Sequence, residues 1–327
     1  MLASALATGA LLLGLASGAS AFSGQESSTQ PATELVMPFD ATAGKATFLI
    51  VSNPHASSPN GGAKVTTHWT FWNQNCEEVA DLSMCLTERD TIVVDPTNMY
   101  SILQDNETDG SVVDLTGQRG LVTVTAYETD SKCAAYDKTD RVLSRGAIVG
   151  TFTIADTNAG YSFGNDASGL FAEWDGGRYV VVLPQGPEAG LGRYVLQTLS
   201  PNSVDASLVV LGWLGVNSDG VAVPLDENPR FYNNYFDNLE VSTSLPDVTV
   251  NCVDFRSLTG GANPLIPDYV RPDGTLLPSY IVPASSGFLA LTPVSGEATD
   301  RGRYLFAFTG QAVGGYGAAS HAKIQRR

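Results

Sequence analysis

The sequence predicts an all-β fold: two tandem antiparallel β-sandwich domains behind a cleaved leader. Three observations carry that expectation. β-Branched and aromatic runs recur at short intervals, turn residues bound them, and no long segment carries a helical period.

The opening residues, MLASALATGALLLGLASGASA, form a short apolar run closing on Ala19-Ser20-Ala21. That small-x-small ending suits signal peptidase, so residues 1–21 are expected to be removed on export, although no basic segment precedes the run. The run is too short and too rich in Gly, Ala and Ser for a membrane span, which takes about 20 strongly apolar residues. Residues 22–33, FSGQESSTQPAT, are small and polar and predict a flexible leader.

From 34 to 160 the runs KATFLIVS, KVTTHWTFW, DTIVVD, GLVTVTAYE and AIVGTFTIAD predict the first domain. The candidate for a helical turn is CEEVADLSMC. Residues 161–174 are rich in Gly and Asp and predict a connector or a long hairpin. From 175 to 327 come RYVVVLP, RYVLQTLSP, ASLVVLGWLG, NLEVSTS, VTVNCVDF, GFLALTPV and RYLFAFTGQ, with NSDG and PDG as turn signals. The C-terminal GQAVGGYGAASHAKIQRR still alternates despite its glycines, and predicts either a closing strand or an exposed edge for self-assembly by strand addition.

Removing 21 of 327 residues leaves 306, which at about 150 residues per domain gives two. With 34 acidic against 18 basic residues the formal charge is −16, which repels nucleic-acid phosphates and anionic membrane surfaces. Both are set aside as partners.

Four cysteines, Cys76, Cys85, Cys133 and Cys252, form an even set in a chain expected to be exported, so disulfides are the default. Proximity favours Cys76 with Cys85, leaving Cys133 with Cys252. Between them and the first domain's strands lies TTHWTFWNQNC, the densest cluster of chemistry-bearing residues. A period of two puts Val65, Thr67, Trp69 and Phe71 on one face, and Thr66, His68, Thr70 and Trp72 on the other, expected to be wet. The other histidines, His55 and His321, are remote, and no HExxH spacing or Gly-x-Ser-x-Gly elbow occurs. The stretch therefore predicts a structural strand entering a disulfide loop.

Two ligand chemistries follow from the remaining patterns. In QDNETDGSVVD, the acids Asp105, Glu107 and Asp109 alternate before Gly110, an oxygen-rich spacing that suits calcium, although Glu107 and Thr116 depart from an EF-hand loop. The alternative is an acidic hairpin tip, and no other cofactor is expected. Trp174, Tyr232 and Tyr235 sit among Asn, Asp and Gly, where exposed rings would stack on sugar faces beside hydrogen-bonding groups. Glu173, Asp175, Asp226, Glu227, Asp237 and Glu240 lie near aromatic residues and supply carboxylates for a polysaccharide-degrading enzyme, the less favoured reading.

In composition and strand pattern the chain resembles the broad class of exported bacterial proteins built from Ig-like sandwiches. That resemblance implies two tandem Ig-like antiparallel β-sandwich domains and carries over no catalytic residue. The resulting expectation is a secreted or periplasmic, non-catalytic structural or adhesive component at a cell surface. Its expected partner is a glycan or another surface protein.

Overall fold

The computed structural model describes residues 30–55, 64–97, 114–128, 140–184, 192–199, 204–239, 242–259, 264–266, 269–270, 276–277, 286–294, 302–313 and 316–326. Among them the chain is all-β, with antiparallel ladders throughout and no helix. The earlier strands are β1 (Glu34–Asp40), β2 (Lys45–Ser52), β3 (Val65–Asn73), β4 (Glu78–Leu86), β5 (Thr91–Val94), β6 (Arg119–Tyr127), β7 (Val149–Asp156), β8 (Tyr161–Asp166), β9 (Ser168–Trp174) and β10 (Tyr179–Val182). The later ones are β11 (Gly192–Thr198), β12 (Ala206–Val216), β13 (Ala222–Pro224), β14 (Arg230–Asp237), β15 (Ser242–Thr249), β16 (Val253–Arg256), β17 (Tyr269–Val270), β18 (Leu276–Leu277), β19 (Gly287–Pro293), β20 (Arg303–Val313), β21 (Tyr316–His321) and β22 (Lys323–Arg326).

They assemble into four larger sheets, β10-β9-β1-β6-β3-β4, β5-β2-β7-β8, β15-β14-β19-β11-β22 and β13-β12-β20-β21, with β16 paired to β12 and β17 to β18. The first two sheets face each other. Leu35 of β1 abuts Gly150 of β7, where an added Cβ would meet its methyl at 2.8 Å. Phe39 and Phe71 pack edge to face at 5.4 Å in the same interior. In the later half, Tyr194 of β11 touches Tyr304 of β20 at 5.9 Å, and its hydroxyl accepts from the Leu305 amide.

The two halves share one apolar core, because the buried side chains of both form a single cluster. The second face of β1 and β6 packs on β12 and β13, with Leu121 against Gly212 and the Ala222 amide donating to both oxygens of Glu34 at 3.1 and 3.2 Å. His321 lies between the halves. Its Nε2 meets the Asp166 carbonyl at 2.6 Å, and Phe152, Phe306 and Phe308 surround its ring.

Several expectations change. Residues 161–174, expected as a connector or a long hairpin, are strands: β8 pairs with β7, and β9 lies between β1 and β10, pairing antiparallel with β10. The helical turn in CEEVADLSMC is instead β4. The end of the polar leader is fixed rather than flexible, since Ala32 bridges Ile148 and both Ala32 and Thr33 are buried.

The disulfide pairing also changes: Cys76 bonds Cys252, with Cα atoms 5.6 Å apart. Cys85 is in a separate disulfide, and Cys133 lies outside the described residues. Closeness in sequence misled because Cys76 ends the β3–β4 turn, whereas Cys85 sits far along β4, opposite Thr66. Seven residue steps along the strand separate Glu78 from Cys85, about 23 Å of extended chain, against the ~7 Å limit between bridged Cα atoms.

Candidate functional site

The outer face of β15-β14-β19-β11-β22 is the strongest candidate for a binding surface. In β14, RFYNNYFD alternates as a strand packed on one side must. Phe231, Asn233 and Tyr235 turn inward and are buried, while Tyr232, Asn234 and Phe236 face outward. A register shift between Phe231 and Asn233 marks a bulge against β15 beside Tyr232. Tyr232 is 47% exposed.

Neighbouring strands complete the surface through register. Phe288 of β19 pairs with Phe236, and their rings stack at 4.9 Å with an interplanar angle of 11°. The Arg193 guanidinium of β11 lies over both rings, at 4.6 and 5.3 Å from their centroids. Ser244 of β15 stands opposite Asn234, and its hydroxyl donates to Asn234 Oδ1 at 3.1 Å. One plane thus carries a phenol, an amide with a hydroxyl, and a stacked aromatic pair capped by a cation. Flat apolar rings beside fixed polar groups can bind a polyhydroxylated chain by stacking and hydrogen bonding.

The three aromatic residues singled out in the sequence do not form one platform. Tyr235 is fully buried, and its ring closes over Gly287, where any Cβ would meet the phenol oxygen at 2.8 Å. Trp174 is 58% exposed but belongs to β9, on another sheet, where it pairs edge to face with Tyr179 at 5.2 Å. Only Tyr232 lies on the platform. Phe288, Arg193 and Ser244 were missed, because nothing local in GFLALTPV or RYVLQT says which strand will lie beside β14.

TTHWTFW forms β3, with the predicted alternation. Its second face is nevertheless covered: Thr66 is buried, and the His68 side chain is only 12% exposed, with Nε2 3.3 Å from Asp81 Oδ2 of β4. No group of three or more His, Cys, Asp or Glu side chains able to hold a metal occurs among the described residues. The loop with Asp105, Glu107 and Asp109 lies outside them.

Of the six carboxylates considered for glycoside hydrolysis, Asp175, Asp226, Glu227 and Asp237 have protein partners, and Glu240 lies outside the described residues. Asp175 accepts from the Gly177 and Arg178 amides, which lower its pKa. Glu227 accepts a forked pair from Arg303 and a third bond from Trp213 Nε1, and these hold it below the usual carboxylate range. Asp237 accepts from the Leu239 amide and Asp226 from Asn228 Nδ2. These are turn and strand-end roles.

No helix among the described residues is long and apolar enough to cross a membrane. Compared with known proteins, the chain matches no family model, no curated protein and no solved structure.

Proposed function

We propose that the protein is an exported, non-catalytic adhesive component built from two Ig-like sandwich units, and that it adheres by binding a neutral glycan chain on the outer face of β14, β19 and β11. The observation that carries the reading is the set of Tyr232, Asn234, Phe236, Phe288 and Arg193 on one face of the sheet. Disulfides at Cys76–Cys252 and at Cys85 fit an oxidising compartment. Support for a non-catalytic role comes from Asp175, Asp226, Glu227 and Asp237, which accept hydrogen bonds in turns and in the Arg303 fork.

The test is binding to an array of neutral polysaccharides by the wild-type protein and by Tyr232→Ala and Phe288→Ala variants. Binding that falls at least tenfold in both supports the platform. Binding that survives both, or its absence from every glycan, removes it. Self-assembly is the second reading, favoured by the place of β22 at the edge of its sheet, paired with β11 alone. It predicts concentration-dependent oligomers that disappear when residues 323–327 are deleted.

A further inference from the structure

Away from the aromatic platform, the β3–β4 turn, the loop after β1 and the start of β6 meet in a cleft of about 350 Å³. Thr42, Asn73, Gln74, Asn75, Gln118 and Arg119 line it. No carboxylate is among the lining residues, which is notable in a chain with a net charge of −16.

Arg119 is held in place from two directions. Its Nε donates to Gln74 Oε1 at 2.6 Å, and its guanidinium lies over the Phe255 ring at 5.0 Å. Gln74 is fixed in turn, since its Nε2 donates to the Val253 carbonyl at 3.4 Å, and the Cys76–Cys252 disulfide ties down the same junction. This arrangement uses one of the guanidinium's five donors. Both Nη groups have no protein acceptor among the described residues, and the side-chain amides of Asn75 and Gln118 make no hydrogen bond there either.

Two acids stand close to this cleft, each with one oxygen engaged. Asp40 stands opposite Arg119 in the β1–β6 register, but its Oδ1 accepts from the Thr42 amide and hydroxyl. Glu77 accepts from Asn73 Nδ2.

We propose that this cleft binds a sugar acid, with one carboxylate on the Arg119 guanidinium and neighbouring hydroxyls on Asn75, Gln118 and Thr42. A fixed planar fork is the side chain best matched to a carboxylate, and binding costs less when the fork is already immobilised. Amide and hydroxyl walls suit a polyhydroxylated body rather than an aromatic or lipid one. The cleft lies at the small end of the range for organic ligands. The chain's negative charge repels polyanions, so the ligand carries a single carboxylate.

The inference does not rest on the platform, because Tyr232 and Arg119 belong to different sheets. It is tested by titrating the ¹⁵N-labelled protein with sodium glucuronate and, separately, with glucose. Expected are saturable shifts at the Gln118 and Arg119 amides, with glucose at least tenfold weaker. Arg119→Gln should weaken glucuronate at least tenfold, and Asn75→Ala with Gln118→Ala, both at exposed positions, at least threefold. Tyr232→Ala should leave the titration unchanged while abolishing polysaccharide binding. Equal affinity for glucose and glucuronate, the absence of saturable shifts, or full affinity in the Asn75→Ala/Gln118→Ala variant overturns the site, and none of these outcomes bears on the platform.

Discussion

β3 and β14 are both aromatic-rich strands with a clean period of two, yet they end in opposite circumstances. The inward faces match in kind: Trp69 and Phe71 in β3, Phe231 and Tyr235 in β14, all fully buried. The other faces differ. On that of β3, Thr66 is buried and His68, Thr70 and Trp72 are half-buried, whereas that of β14 leaves Tyr232 exposed beside half-buried Asn234 and Phe236. Alternation shows which residues share a face. It does not show whether another layer will cover that face.

The comparison can be broken most forcefully at the inward rings. Trp69→Ala and Tyr235→Ala should each cost about 3–5 kcal/mol in chemical denaturation, since each leaves a large cavity. A cost below about 1 kcal/mol for Tyr235→Ala would return that ring to the surface.

The layer that covers the first half is also tied on covalently. The Cys76–Cys252 bond spans 176 residues, and replacing both cysteines by serine should remove about 2–5 kcal/mol, with loop entropy alone giving about 5. Unchanged stability under oxidising conditions would show that the halves hold together without it.

A third prediction uses Glu34, buried where β1 meets β13. Burial raises its pKa from 4.5 to about 8, against the opposing hydrogen bonds from Ala222 and Thr125. The folded state therefore keeps a proton that the unfolded chain releases. Its contribution is complete below about pH 4.5 and is lost as pH rises through 8. Relative to Glu34→Gln, the wild type should lose on the order of a few kcal/mol between pH 4.5 and 8, and parallel pH profiles would contradict this. His321 acts in the opposite direction: burial lowers its pKa, so stability falls as the solution is acidified below the ordinary histidine range.

The smallest effect belongs to the open face. Tyr232→Ala should change stability by less than about 0.5 kcal/mol while removing glycan binding, the reverse of Tyr235→Ala. A large stability loss at Tyr232 would mean that this face, like that of β3, is covered.

The strands that announced themselves were runs rich in β-branched and aromatic residues, whether packed on one side, as β2 and β7 are, or on both, as β6 and β20 are. KATFLIVS, GLVTVTAYE, AIVGTFTIAD and RYLFAFTGQ became β2, β6, β7 and β20. ELVMPFD did not, because it holds only Val36 and Phe39 of the β-branched and aromatic types and is interrupted by Pro38. The segment 161–174 suits a connector as well as a long hairpin, because Gly and Asp are common in turns. In β8, Gly164 lies against the β7 backbone, where a larger side chain would meet the Phe152 carbonyl at 3.0 Å. Of the candidate platform, the sequence supplied Tyr232 and Phe236 in FYNNYFDN; Phe288 and Arg193 became neighbours only through register across strands more than 30 residues apart.

By itself, the sequence determined the all-β class, the inward and outward partition of most strands and the scarcity of local catalytic motifs. Each of these follows from short-range chemistry: the period of two, turn residues and side-chain type. Tertiary structure decided the disulfide partner of Cys76, the covering of His68, the burial of Glu34 and the make-up of the open aromatic face. Those depend on which strand lies beside which and which sheet lies above which. Such choices are made by packing between residues far apart in the chain, and no local window contains them.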